Sequence, residues 1–266
     1  MGHAGRFARY IGIDYSGAGT ADCGLPGLRV YLATVDSPAR EILPPPGRSR
    51  YWSRRGLAHW LVECLKAGLD EAQPTVVGID HGFSFPLDYF AARGLADSWP
   101  AFLADFHAHW PTDREKVRVD DVRAGRVGEG AVLRGSARWR RLTEQRAGAK
   151  SVFHFDVPGS VAKSTHAGLP WLRFLRTRLG PGLHVWPFDG WTVPAGRSLL
   201  LEVYPALWSG DYPRADRTPD QHDAWVVAAA LRSADGNGRL AQWLAPPVDD
   251  SLRVTAEREG WIAGVG

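Results

Sequence analysis

The acidic residues best placed to do chemistry stand where apolar runs stop. Tyr10 to Gly17 reads YIGIDYSG: the run ends abruptly at Asp14 and breaks into Ser and Gly, the pattern of a buried strand delivering one carboxylate to a sheet edge. Val76 to Pro86 reads VVGIDHGFSFP and repeats the device, a Gly-Ile-Asp strand end that presents Asp80. A third run, LLLEVY from Leu199 to Tyr204, places Glu202 near the same edge. Downstream, Asp220 and Asp223 are spaced i, i+3 and so share one face of a helix close to its start. Hard carboxylate oxygens in such a set can hold Mg²⁺ or Mn²⁺ while leaving positions for water and phosphate, as two-metal phosphoryl chemistry requires. In that reading Asp14, Asp80, Asp223 and Glu202 carry the reaction. Asp14 bridges two ions, Asp80 and Asp223 each complete one metal's shell, and Asp220 is a further candidate ligand.

Each of these residues also has a structural reading. Aspartate at a strand exit is a common turn or cap residue, because its carboxylate bonds nearby backbone. Two strand ends of the same form, followed by acids on a helix, favour a shared site. Asp220 sits in a first helical turn, where the macrodipole and the unpaired N–H groups favour an acid with no metal present; Asp223 lies beyond that turn and is the better ligand. His222, between them, is placed either to orient water or to pack, and Glu202 either joins the site or pairs with a basic residue. GSVAKS at Gly159 to Ser164 fails the phosphate-loop pattern because Ala162 precedes Lys163. Lys163 to His166 is therefore read first as a helix start, with phosphate contact through backbone N–H groups as the alternative.

Those carboxylates need strands and helices to carry them. Leu28 to Val35 (LRVYLATV) alternates as a second strand, joined to the first by a Gly-rich turn in an antiparallel hairpin. A short edge strand at Glu41 to Ile42 stops at three consecutive prolines. Ser53 caps a helix to about residue 72 that leads into the strand bearing Asp80. From about 83 to 184 the alternation lapses into an elaboration: a short helix at Trp99 to Trp110, an Arg-rich stretch, and a helix at Gly168 to Leu179 with Pro170 near its start. Thr218-Pro219-Asp220-Gln221 is a capping box with proline in the first helical position, and AWVVAAAL from Ala224 supplies the buried body behind it. A Gly/Asn turn at Asp235 to Gly238, a short helix to Leu244 and a last strand at Gly260 to Ile262 complete the chain.

Composition sets the class. With 266 residues, 44% of them hydrophobic and 12 tryptophans, the chain can bury a large core. It shows no signal-peptide pattern and no apolar run long enough to span a bilayer, so a cytoplasmic location is expected. Cys23 and Cys64 are far apart and outside any CxxC pattern, which points to reduced thiols rather than a disulfide or zinc framework. The net charge is only +3, yet residues 113–150 hold 11 basic against 6 acidic side chains. Within them Arg138, Trp139, Arg140 and Arg141 mix cations and an aromatic in a way that suits either a nucleic-acid partner or a solvated face.

The order of these pieces resembles the ribonuclease H-like superfamily, and the Asp220-x-x-Asp223-Ala224 helix start is most similar to its RuvC-type resolvase branch. IGIDYSG, VGIDHGFSFP, LEVYPAL, HDAWVVAAAL and EGWI together resemble a family of unknown function whose members are predicted ribonuclease H-like nucleases. The resemblance covers both ends of the chain well and the middle poorly. It implies an α/β fold, a single domain over residues 1–266 with a mixed sheet, flanking helices and a large insertion at about 83–184. It also implies metal-dependent phosphodiester hydrolysis with Asp14, Asp80 and Asp223 as ligands. Asp80 stands where RuvC-type enzymes carry Glu, a side chain longer by one C–C bond. Two other classes fit parts of the pattern: an actin-like or sugar-kinase-type ATP-binding phosphotransferase, and a non-catalytic nucleic-acid-binding module.

Overall fold

A computed structural model describes residues 5–47 and 49–266. The first strand, β1 (Arg9–Asp14), turns back through β2 (Arg29–Thr34) to the short β3 (Arg40–Glu41), all antiparallel. Helix α1 (Arg54–Asp70), capped by the Ser53 hydroxyl on the Gly56 N–H at 3.1 Å, crosses to β4 (Thr75–Asp80), which lies parallel to β1. The middle of the chain forms α2 (Leu87–Arg93), α3 (Trp99–His109), α4 (Val119–Arg123), α5 (Leu142–Ala147) and α6 (Ala162–Leu179). It returns to the sheet as β5 (Leu183–Val185) and β6 (Ser198–Glu202). Helices α7 (Pro219–Gly236), α8 (Arg239–Trp243) and α9 (Asp250–Glu259) follow. The strand order is β3-β2-β1-β4-β6-β5, a mixed six-stranded sheet with helices on both faces. Among the described residues no helix is long and apolar enough to cross a membrane.

Side-chain alternation divides the core in two. Ile11, Ile13, Val77, Ile79 and Leu200 join α1, α3 and α6 on one face. Tyr10, Val76, Leu199 and Leu201 face α7 and α8 on the other. Gly12 and Gly78 are register partners on that second face. A methyl on Gly12 would sit 2.2 Å from the Ala224 carbonyl oxygen, and one on Gly78 would sit 2.7 Å from Val227 Cγ1. The two glycines thus form a flat seat that lets α7 lie directly on β1 and β4.

Several elements differ from the sequence reading. Helix α6 starts six residues before the expected Gly168 and holds Pro170 in its interior. Proline removes the N–H that would bond the carbonyl four residues back; here the Thr112 hydroxyl donates to that His166 carbonyl instead, at 2.7 Å. Both α6 and β5 lie within the stretch expected to be elaboration, yet they pack in the sheet layers. At the C-terminal end the expected strand is reduced to one bridge between Glu202 and Ile262, and helix α9, which the sequence reading omitted, precedes it.

Candidate functional site

Asp14 and Asp80 end adjacent parallel strands and are register partners. Each lies two residues after its glycine, so both project to the α7 face. The Thr218 capping box, with Thr218 Oγ1 accepting from Gln221 N at 3.3 Å and Gln221 Oε1 from Thr218 N at 3.1 Å, fixes where α7 begins. The glycine seat then brings the first turns of that helix, with Asp220 and Asp223, over the ends of β1 and β4. A methyl on Gly27, beside β2, would stand 3.5 Å from an Asp220 carboxylate oxygen. Four acids from three segments therefore gather at one corner of the sheet.

Their electrostatics follow from crowding. Burial pushes Asp14 well above the usual carboxylate range, and Asp80, Asp220 and Asp223 push it the same way. Asp80 is pushed up to about 8 by burial, then by Asp223 and Glu202. Asp223 is also raised, by burial first; Asp220 adds to this while His222 and Arg214 oppose it. Among the described residues no Lys, Arg or His forms an ion pair with any of the four. Nor do any three His, Cys, Asp or Glu side chains among the described residues close around a common point tightly enough to hold a metal ion as they stand. The corner is an open row of repelling carboxylates rather than a closed cage.

Glu202 is not brought into that row. It is level with Ile79, one residue out of phase with Gly78, so it projects to the opposite face. There its carboxylate takes both terminal nitrogens of Arg141, at 2.7 and 2.5 Å, and the Phe83 N–H at 2.9 Å. Glu202 and Arg141 are 3% and 1% exposed. Arg141 also bonds Glu144 at 2.9 Å and the Glu259 carbonyl at 3.1 Å, while the Glu259 carboxylate accepts from Leu87 N and Leu142 N, each at 2.7 Å. Of the two readings of Glu202, the geometry is that of pairing with a basic residue.

Other singled-out residues have structural roles. Arg140 bonds the carbonyls of Glu144 and Ala149, and Trp139 packs edge-on to Phe153, so only part of the Arg-rich stretch faces solvent, Arg134 and Arg138 included. Lys163, in the first turn of α6, pairs with Asp120 at 2.8 Å, and Thr165 accepts the Gly82 N–H at 2.9 Å. A methyl on Gly17 would meet the Lys163 backbone at 2.2 Å, so the loop after Asp14 rests on that helix start. His222 is 8% exposed with Nδ1 unpartnered, next to Asp223 in sequence.

One positioning residue escapes the sequence reading. Arg54, fully buried at the start of α1, donates to the carbonyls of Ser16 and Ala18 at 3.0 and 2.6 Å and holds the turn that follows Asp14. A lone arginine at a helix start in so Arg-rich a chain carries no pattern that would mark it. No protein family, curated protein or solved structure matches the chain.

Proposed function

We propose that this chain is a divalent-metal-dependent nuclease of the ribonuclease H-like type, hydrolysing phosphodiester bonds at the corner formed by Asp14, Asp80 and Asp223. One observation carries the reading. Four carboxylates from β1, β4 and α7 are gathered against their mutual repulsion, with no ion-paired cation among the described residues to offset it. Such a cluster costs stability unless something positive binds it. The donor set suits a hard cation, all oxygen and anionic, and rotation of the short Asp side chains would close the open row around one. Asp14, Asp80 and Asp223, with Asp220 beside them, would hold Mg²⁺ or Mn²⁺, which would supply Lewis acidity at a phosphoryl oxygen and a bound water more readily ionised than bulk water.

The protein's own contribution is position. Arg54 fixes the turn after Asp14, the glycine seat fixes the standoff of Asp223, and Arg141 holds Glu202, whose carboxylate accepts the Phe83 N–H and so anchors the loop leaving Asp80.

The test is cleavage with Mn²⁺ of duplex, single-stranded, hybrid and branched DNA and RNA, alongside Asp14→Asn. Cleavage of at least one substrate, lost in the variant, is expected; no cleavage of any would overturn the reading. Mn²⁺ calorimetry on Asp223→Asn and Asp220→Asn separates the helical pair. The first should abolish binding, and the second should mainly cost the roughly 0.3–1 kcal/mol of a helix-start acid.

A further inference from the structure

Behind the carboxylate corner, on the other face of the sheet, lies a small interior space. Tyr15 and His81 directly follow Asp14 and Asp80, so alternation turns them toward α1 and α6, where their rings meet edge-on with centroids 4.6 Å apart. Beside them is a cavity of about 10 Å³, walled by these two residues, by Arg54 and an apolar stretch of α1, and by Gly168 and Trp171 of α6. Every residue of the wall is buried. Three of them nonetheless carry a polar atom with no partner among the described residues: Tyr15 Oη, Arg54 Nε and Trp171 Nε1. A fourth polar member is His81, whose Nδ1 donates to the Gly82 carbonyl at 2.9 Å, which leaves Nε2 as the acceptor of the neutral ring. That nitrogen lies against the α6 wall, since a methyl on Gly168 would stand 2.4 Å from it.

We propose that this cavity holds one resident water molecule, bonded to Arg54, Trp171, Tyr15 and His81, which braces the chain where it leaves both acid-bearing strands. Size and valence carry the inference. A single water needs a space of about 10–15 Å³ and roughly two to four polar partners. The wall offers two obligate donors in the Arg54 and Trp171 N–H groups, an acceptor in His81 Nε2, and in Tyr15 a hydroxyl that serves as either. Water, with two lone pairs and two hydrogens, matches that set. A chloride ion is larger and has no hydrogen to give His81, and a metal cation would be repelled by the guanidinium. Each of these buried groups, left unpaired, would carry a desolvation penalty that the water removes. The brace reaches the site through the backbone: Arg54 already holds the Ser16 and Ala18 carbonyls of the turn after Asp14, and the water ties it to Tyr15, to His81 and to α6. The water itself does not depend on the nuclease reading; its effect on a metal at the acids rests on that reading.

Magnetic-resonance cross-relaxation between solvent and the isotope-labelled full chain tests this. The Trp171 indole N–H, identified as the resonance missing from Trp171→Phe, and the Arg54 Nε–H should both show direct transfer from a water that stays longer than the protein takes to tumble. Both should keep it in Tyr15→Phe, which removes a hydroxyl able to pass on exchanged protons and leaves the water its other partners. No transfer in the unaltered protein would overturn the proposal, as would its loss in Tyr15→Phe or a melting temperature that follows chloride at constant ionic strength. Calorimetry then tests the brace. Trp171→Phe retains every acid yet should weaken Mn²⁺ binding by about threefold or more, the scale of one lost hydrogen bond. Unchanged Mn²⁺ affinity in that variant would overturn the bracing role. A resident water in a protein that binds no Mn²⁺ at all would sink the metal site and leave the water standing.

Discussion

At the scale of single residues, the decisive property is that buried groups here are shifted in both directions. Asp14 and Asp80 are raised, so in the folded protein they hold protons that the unfolded chain releases above pH about 4. Stability must fall as pH rises through that range, up to Asp80's value near 8. His81 and His166 run the other way: burial lowers them to about 4 and about 3, so the stability of their neutral forms is lost as acid charges them in the unfolded chain. Between roughly pH 4 and 6.5 the two effects oppose. The clean windows lie outside. Chelator-treated protein should lose thermal stability from pH 6.5 to 8, and Mn²⁺ should restore it, by about 2.7 kcal/mol at a hundredfold excess over its dissociation constant. Asp80→Asn should flatten that loss and weaken the rescue. From pH 4 down to about 3, where His166 alone is still neutral in the folded protein, stability should fall again with or without Mn²⁺. Melting curves across pH with and without the ion check all three, and a metal-free protein equally stable at pH 6.5 and 8 would contradict the crowding of the acids.

At the scale of elements, two contacts set the site. The first is the glycine seat. Gly12→Ala would drive a methyl against the Ala224 carbonyl, with an expected cost of about 1–3 kcal/mol or more. Because the standoff of α7 governs Asp223, Mn²⁺ affinity should drop even though every acid is retained; urea unfolding and calorimetry measure the two effects. The second is the Arg141 knot, which ties α5, the loop after β4, β6 and α9 together. Arg141→Met strands two buried carboxylates and should cost about 3–5 kcal/mol, and adding Glu202→Gln and Glu144→Gln should recover much of it, since loss of a whole buried ion cluster is cheaper than loss of one partner. Sequence pattern alone locates β1, β4, β6 and α7, because strand runs and a capping box are local signals. It cannot place Glu202, whose face depends on the register of β6 against β4, a relation between segments far apart in the chain. For the same reason the partners of Arg54 and Arg141, the short β5 and a proline tolerated inside α6 stay hidden: each is decided by a contact from elsewhere, such as the Thr112 hydroxyl.

At the scale of the whole molecule, the middle of the chain has two jobs. Part of it completes the sheet layers through α6 and β5. Part of it builds an aromatic box in which Phe85, Phe106, Trp110, Phe153 and Phe155 surround His166. The described surface places Arg134 and Arg138 in solvent, available to a polyanion, and any nucleic-acid binding they support should weaken steeply with salt. The seat of Gly12 and Gly78 has a further consequence, in the order of biosynthesis. Both glycines leave the ribosome early, whereas the helix that covers them emerges late. Until then the nascent chain exposes a flat strip of β1 and β4 with half of its acid set, a surface suited to chaperones or to wrong pairing. A chain released at Ala215 should accordingly be poorly soluble and blind to Mn²⁺, and a separately supplied segment running from Asp216 to Gly266 should restore both properties together.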